Sequence, residues 1–486
     1  MSSSTTPPTP VRVRFAPSPT GYLHVGGIRS ALFNWLWARH TGGVSVLRLE
    51  DTDRARYVEG APDQICDSLE ALGIKPDEGP REGGKYGPYV QSERLALYAQ
   101  HAAQLLESGA LYRCWCSPER LTKLRAEAQA AGVAFKYDRH CLKPENHGDE
   151  SAPHVLRFRT PEAPASIGWD DAVRGRLDFK LADLDDFVAI KADTYPTYHF
   201  ANVVDDHLME ISHVLRADEW LPSTPKHLLL FAAFNWQPPT YAHLPAVLGP
   251  NGNKKLSKRD GAQSVQEYLD EGYLPEALRS FLASLGWNDG TTQEVYATDE
   301  LIKNFTLERI QKSPAKFDKE RLTWMNGLMI RQMDLDELLR RTDGFWPPEA
   351  TNSSLDYRRQ VLGLVQERLK FLRELPELTR FFFAEPDYAD GLLAAEAASD
   401  RYAETSLRDC LAAARQAVEN LDFSEASLET ALRPLAEAMG VKTGLLFGAI
   451  RLAVTGQKSA PGLFETLHAL GRETVLRRLD KALKQL

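Results

Sequence analysis

Val11-Arg-Val-Arg-Phe15-Ala16-Pro-Ser18-Pro-Thr20-Gly21-Tyr-Leu-His24-Val-Gly26-Gly27-Ile28 passes from a β pattern to a helical one across a single turn. Apolar and charged residues alternate over 11–15, the period of a strand, and a Pro/Gly turn occupies 16–21. Ile28, Ala31, Leu32, Trp35 and Leu36 then recur at helical spacing. Residues 44–49 read as a second strand, and Ile65, Leu69 and Leu72 line a second helix that Gly73 can close. Strands alternating with helices imply a doubly wound parallel sheet, in which ligands bind beyond the carboxyl ends of the strands. The Pro/Gly turn and Glu50 both sit at such ends.

Outward from this unit the pattern changes. A helix from about Ser92 leads into a cysteine-containing stretch and short strands at 155–159 and 187–190, which predicts an inserted α+β module. The sheet pattern resumes near Ala201. Beyond about Asp334 the chain is rich in Leu, Ala, Arg and Glu, and Val361, Leu364, Val365, Leu369 and Leu372 step by threes and fours, which predicts an almost wholly helical half.

The composition excludes several classes. A chain of 486 residues, 43% hydrophobic, can bury substantial cores and suggests about three to five domains if they are small. The net charge of -9 does not point to nucleic acid, so any RNA-binding face must be locally basic. Five cysteines are too few for a disulfide framework, which favours a reduced, cytoplasmic compartment. Residues 1–10 are Ser/Thr/Pro-rich, lack a signal-peptide core, and read as a disordered tail. The longest apolar run, 228–234, is far short of the roughly 20 residues that cross a bilayer, so no membrane partner is expected.

Two clusters carry chemistry. The helix start at His24-Val-Gly26-Gly27 offers unpaired N–H groups and partial positive charge to a phosphate or an adenine edge. Far downstream, Leu248-Gly-Pro-Asn-Gly-Asn253 runs into Lys254-Lys255-Leu256-Ser257-Lys258-Arg259, whose cations suit a triphosphate and departing pyrophosphate. Each alone is weak, since glycines often serve only turn geometry and lysine clusters are often solvated loops. Together and in this order, they make the chain resemble a class I aminoacyl-tRNA synthetase, whose HIGH and KMSKS signatures these would be.

The resemblance narrows to the bacterial-type glutamyl-tRNA synthetases and covers nearly the whole chain. It is carried by 14–21, Arg48-Leu-Glu-Asp-Thr-Asp53, Gln91-Ser-Glu-Arg94, Pro196-Thr-Tyr-His-Phe-Ala-Asn-Val-Val-Asp-Asp206, Val214-Leu-Arg-Ala-Asp-Glu-Trp220, His243-Leu-Pro245 and Arg451-Leu-Ala-Val-Thr-Gly456. Gly27 stands where HIGH has its second histidine, a variation this branch carries. Thr194 follows Asp193 where the family commonly has glycine, a departure in the turn ahead of Tyr198.

The fold this implies is a Rossmann-type α/β catalytic domain with an inserted α+β module and an all-α anticodon-binding region. The expected divisions are a tail at 1–10, the catalytic first half at 11–98, an acceptor-stem-binding module at 99–200, the catalytic second half at 201–250, a stem-contact region with the lysine loop at 251–334, and two helical anticodon-binding subdomains at 335–395 and 396–486. The activity implied is ATP-dependent conversion of glutamate to glutamyl-adenylate, followed by transfer to the terminal adenosine of tRNA(Glu), with Mg²⁺ on the phosphates. Whether tRNA(Gln) is also charged stays open, and a monomer is expected.

Glutamate carries two carboxylates and one ammonium, so its pocket needs guanidinium forks and a carboxylate. The matching positions are Arg14 and Arg216 for the carboxylates, Glu50 for the ammonium, and Ala16, Ser18, Tyr198 and Asn202 as walls. A guanidinium offers only donors, so a glutamine amide would set donor against donor. The resemblance further assigns Thr20, Gly21, His24, Gly26, Gly27, Glu219, Leu256, Ser257 and Lys258 to ATP. It makes His24, Lys255 and Lys258 the residues nearest the chemistry. Cys114-Trp-Cys116 and Tyr137-Asp-Arg-His140-Cys141 are similar to the structural zinc site of some family members, although Lys143 replaces an expected histidine. The fourth ligand is then Tyr137, His140 or His147; the alternative is a set of free cysteines that holds no metal. Arg451, Lys458, Arg472, Arg477 and Arg478 are candidates for phosphate contacts in the helical half. Competing readings are a small-molecule nucleotidylyltransferase, which needs no lysine loop, a paralogue that glutamylates a tRNA base, which lacks the helical half, and a silent RNA-binding relative, against which His24, Glu50 and Lys258 weigh.

Overall fold

A computed structural model describes residues 10–23, 25–252, 254–256, 263–388 and 391–486. Of the tail expected at 1–10, only Pro10 falls within them. The chain forms two compact units, one of residues 1–268 and 275–319 and the other of 269–274 and 320–486.

The first unit begins with β1 (Arg12–Phe15), α1 (Val25–Thr41), β2 (Val44–Leu47), α2 (Ala61–Ala71) and α3 (Leu95–Glu107). An insertion follows, with β3 (Leu111–Cys114), α4 (Pro118–Ala130), β4 (Val155–Phe158), β5 (Ser166–Asp171), β6 (Gly175–Lys180) and β7 (Val188–Ile190). The chain then returns through α5 (Tyr198–Leu208), β8 (His213–Ala217), α6 (Thr224–Ala233) and β9 (Thr240–Leu244). The principal sheet has the order β2-β1-β8-β9 and every pair in it is parallel. Successive strands step away from β1 on one side and from β8 on the other, so the order reverses between β1 and β8. A crevice opens at such a switch point beyond the strand ends.

β2 stops two residues before the expected end. Arg48 and Glu50 N–H still donate to the carbonyls of Phe15 and Pro17, while on the other side Leu49 N–H donates to the Tyr89 carbonyl and Gln91 N–H to that of Leu49, which holds Glu50 at the crevice. Within the insertion, β3, β4 and β7 form an antiparallel sheet and β5 pairs with β6 as a hairpin. One apolar cluster holds Tyr98 and Leu105 of α3, Leu111 of β3, Phe158 of β4, Val203 of α5 and Leu230 of α6, so the insertion's core is continuous with that of the sheet helices.

The second unit is helical. Ser354, Ser406 and Ser424 each accept the N–H three residues on, of Tyr357, Asp409 and Ser427, and so cap the starts of three helices. Its core gathers Val361, Phe381, Leu411, Leu432, Ile450, Leu467 and Leu479. The helical pattern through Leu372 is broken in the structure. That helix ends at Val365, and the Leu372 N–H donates to the Gly272 carbonyl instead of continuing it. Leu369 and Leu372 still point inward, so the spacing marked burial rather than helix length. No helix of the described residues is long and apolar enough to cross a membrane.

Candidate active site

The crevice at the switch point is a cleft of about 390 Å³. Arg14, Ala16, Ser18, Thr20, Gly26, Gly27, Glu50, Tyr198, Asn202, Arg216, Glu219, Lys255 and Leu256 all line it. These expected site residues come from segments more than 200 positions apart. Gly21 is not among the lining residues, since it lies in the turn that leads to them. His24, Ser257 and Lys258 lie outside the described residues, so the expectation that His24 and Lys258 share one crevice rests there on their neighbours Gly26, Gly27, Lys255 and Leu256.

The end of the cleft that holds Arg14 and Glu50 rests on a buried ionic network. Arg14, on β1, donates through Nε to Asp206 at 3.2 Å, which leaves its terminal nitrogens for a ligand. Arg48 reaches Asp206 at 2.8 Å and Glu50 at 3.0 Å, and Arg94 donates to Asp205 at 2.7 Å. Three guanidiniums thus face the three carboxylates of Glu50, Asp205 and Asp206, so the cluster can stay ionised out of water. Glu50 accepts from Arg48 and from Asn202 Nδ2 through the same oxygen, Oε1, which leaves Oε2 to a cation. Burial pushes the Glu50 carboxyl above its usual range despite Arg48 and Arg14, while those two arginines outweigh burial at Asp206 and hold it below.

Arg216, at the end of β8, is held differently. Its Nε donates to His243 Nε2 at 3.1 Å, Nη1 to His227 Nδ1 at 3.2 Å and to Tyr198 Oη at 3.4 Å, and Nη2 to Thr224 Oγ1 at 2.8 Å and to the Trp220 carbonyl at 3.4 Å. Each acceptor is a neutral group, and Arg216 makes no ion pair among the described residues. Only 5% of it is exposed, so it is a buried cation with no anionic partner among the described residues. Trp220 packs on Tyr198 with ring centroids 4.4 Å apart. The sequence reading missed these supporting groups. Asp205, Asp206 and Trp220 stood in the quoted segments, but nothing there showed what they would meet.

The other end of the cleft holds the start of α1. A Cβ at Gly27 would lie 2.6 Å from Leu23 Cδ1, a contact that the leucine tip can relieve by moving. Lys255 is placed by a hairpin in which Leu256 N–H donates to the Val247 carbonyl, and its ammonium pairs with Glu219. Arg29, 2% exposed, also lines the cleft and donates to the carbonyls of Leu285 and Pro245.

Residues 10–324 match the family described as tRNA synthetases class I (E and Q), catalytic domain, and residues 335–483 match an anticodon binding domain. The chain belongs to this class I tRNA synthetase family. The synthetase is 47% identical to a glutamate–tRNA ligase of Dehalococcoides mccartyi over 98% of each chain, and 43% identical to that of Moorella thermoacetica over 97% of this chain and 98% of the other. Its fold is similar to the crystal structure of a glutamate tRNA ligase from Elizabethkingia meningosepticum in complex with its amino acid, with a TM-score of 0.89 and 36% identity over 98% of this chain and 99% of that one.

In the insertion of this synthetase, Cys114, Cys116 and Cys141 bring their sulfurs within 4.8 Å of one another. Tyr137 Oη lies 3.3 Å from both Cys114 and Cys116. His140 and His147, the other candidate fourth ligands, do not join the cluster. Sulfurs around a tetrahedral zinc stand about 3.8 Å apart, a spacing this donor set can adopt. Arg157 donates to Cys114 at 3.2 Å and, with Tyr137, holds that thiol below its usual range against burial, whereas burial and the neighbouring thiols push Cys116 up to about 11, although Arg120 donates to it at 3.4 Å.

The helical unit corrects the reading of its arginines. Arg478 is 2% exposed and donates to the carbonyls of Val454 and Ala384, so it fastens the fold rather than facing a phosphate. Arg477 pairs with Glu385 and Lys458 with Glu396, while Arg472 lies over the Phe423 ring. Arg451 is half-buried, and burial together with nearby Arg368 pulls it below the usual arginine range.

Proposed function

We propose that this synthetase joins L-glutamate to tRNA(Glu) for protein synthesis, using ATP, and that the cleft between β1 and β8 is where both steps occur. The observation that carries the substrate assignment is Arg216, a buried guanidinium in a neutral cage beside a second one, Arg14, and facing the same cleft as Glu50. Arg14 shares its charge with Asp206, whereas that of Arg216 is uncompensated. The side-chain carboxylate of glutamate therefore goes to Arg216, taking over the two longest bonds, to Tyr198 and Trp220, with the Tyr198 hydroxyl free to donate to it. Arg14 serves the α-carboxylate, and Glu50 Oε2 the ammonium. A neutral glutamine amide leaves the Arg216 charge buried and unpaired, which costs it selectivity of about 10⁴ or more.

An α-carboxylate oxygen attacks the α-phosphorus of ATP and pyrophosphate leaves. A ribose hydroxyl of the terminal adenosine then attacks the acyl carbon and AMP leaves. The protein's work is positioning and charge stabilisation: Thr20, Gly26, Gly27 and His24 at the helix start hold the nucleotide, and Lys255, Leu256, Ser257 and Lys258 engage the phosphates. Lys255 is released from Glu219 as it does so. Mg²⁺ arrives as part of the nucleotide substrate, on its phosphates. A structural zinc on Cys114, Cys116, Cys141 and Tyr137 would tie β3 to the loop after α4. The module 99–200 and the region 251–334 meet the acceptor stem, and the subdomains 335–395 and 396–486 the anticodon. The enzyme works as a monomer in the cytoplasm. Aminoacylation with purified tRNA(Glu) tests the reading: glutamate is attached, Arg216→Gln raises the glutamate KM about 100-fold or more, and Lys258→Ala slows turnover with RNA affinity kept. No attachment of glutamate overturns it, and the same assay with tRNA(Gln) measures the breadth of RNA choice.

A further inference from the structure

The cage around Arg216 has a second layer with no counterpart in the two-step chemistry. His243 Nδ1 lies 2.5 Å from Asp171 Oδ2, and both groups are buried. Since a guanidinium only donates, His243 Nε2 must accept from Arg216, and the ring proton must sit on Nδ1 facing Asp171. The same logic fixes the next ring. His227 Nδ1 accepts from Arg216, so its Nε2 carries the proton and donates to His199 Nδ1 at 3.2 Å. Burial pulls all three imidazoles below their usual range, His199 to about 3, which agrees with neutral rings.

Asp171 does this from the far end of β5, in the insertion, 45 residues before Arg216 in the sequence. Its other oxygen, Oδ1, accepts the backbone N–H groups of Val173, Arg174 and His243, so the carboxylate is locked into the hairpin turn and against β9 together. We infer that Asp171 and His243 are positioning residues for glutamate selection: they fix one imidazole tautomer so that Arg216 meets an acceptor at Nε and turns its remaining donors to the substrate carboxylate. The arrangement also keeps the anion one ring away from the guanidinium. Asp171 thus orients Arg216 without neutralising it, and the positive charge is left for the side chain of glutamate. A carboxylate in direct contact with Arg216 would compete with the substrate and erase the preference over glutamine.

This inference rests on the assignment of Arg216 to the side-chain carboxylate, and the test separates the two. Asp171→Asn keeps the Oδ1 acceptor that holds the turn but puts an amide opposite His243, which favours the tautomer that sets N–H against N–H at Arg216. His243→Leu removes the acceptor, and His243→Gln restores one near the position of Nε2. Steady-state aminoacylation of tRNA(Glu) by the full chain is followed with glutamate and ATP varied in turn. Asp171→Asn and His243→Leu are expected to raise the glutamate KM by about tenfold to a hundredfold with the ATP KM unchanged. His243→Gln is expected to recover most of that loss, and Asp171→Asn to narrow the preference for glutamate over glutamine. If Arg216→Gln raises the glutamate KM while Asp171→Asn and His243→Leu leave it at the parent value, the positioning role is overturned and the pocket assignment stands. If both KM values rise in parallel and His243→Gln gives no recovery, the pair serves folding only and the inference fails. If Arg216→Gln itself leaves the glutamate KM unchanged, the pocket assignment falls first.

Discussion

Thr194 has φ of 70°, in the left-handed region that β-branched residues avoid. Thr194 N–H donates to the Lys191 carbonyl and Lys191 N–H to that of Tyr195, which makes a three-residue hairpin loop whose last position calls for glycine. The threonine therefore keeps the turn that leads into α5 and Tyr198, at a cost in stability. Thr194→Gly is expected to stabilise the fold by about 1 kcal/mol, the strain relieved less the entropy glycine loses, and denaturant midpoints of the two proteins measure it. Glu50 gives a second prediction at this scale. Its carboxyl is raised by burial and must be ionised to accept the ammonium of glutamate, so binding weakens as pH falls through that raised value. The glutamate KM is expected to climb on acidification, starting at a higher pH than for an exposed carboxylate. Glu50→Gln should give a raised KM with little dependence on pH over the same range; an unaltered acid limb would remove Glu50 from the ammonium site. Arg14, Glu50 and Arg216 stood out as candidates because the family resemblance and the charges of glutamate together point to them. The partners that make them work were not, since Asp206 and His243 reach them from 192 and 27 positions away.

Among elements, β1 shows what an alternating pattern leaves unsaid. Its alternation of apolar and charged residues does not say what the charges meet, and Arg12 and Arg14 are 6% and 3% exposed. Arg12 pairs with Glu78 and Arg14 with Asp206, so both faces of the strand are covered and period alone could not tell a wet face from a paired one. The cysteine-bearing loop is a similar case. The Cys-x-Cys spacing announced a ligand pair, but the fourth donor depends on how the loop after α4 folds back, and that fold brings in Tyr137 and leaves His140 aside. Purified protein is expected to hold about one zinc per chain, as a four-donor site would. Tyr137→Phe should lower zinc affinity while His140→Ala leaves it unchanged, as read by competition with a chromogenic chelator. A zinc content near zero in unchelated protein, or the opposite ranking of the two variants, would dismiss the site.

At the scale of the whole molecule, the division into an α/β part and a helical part was readable from composition and period, because a sheet and a helical bundle bury different sequence patterns. Where the helices stop was not, as beyond Val365, where the chain goes on to bond Leu372 to Gly272, a partner that no local pattern contains. The two units also differ in what holds them. The cleft, with its ionic network and its histidines, draws on the first unit, whereas every buried member of the helical core lies between Val361 and Ala482 in the second. Cores that share no residues need not melt together. Calorimetry of the full chain is accordingly expected to resolve two transitions. Ligands of the cleft bind the folded first unit alone, so glutamate or ATP, each added singly at about one hundred times its dissociation constant, should add about 2.7 kcal/mol to that transition and leave the other in place. Arg216→Gln should abolish the shift produced by glutamate but keep the one produced by ATP, because only the former meets the guanidinium. A single transition that moves as a whole with either ligand would mean that the units unfold as one, and the helical part would then have to be counted in the energetics of the site.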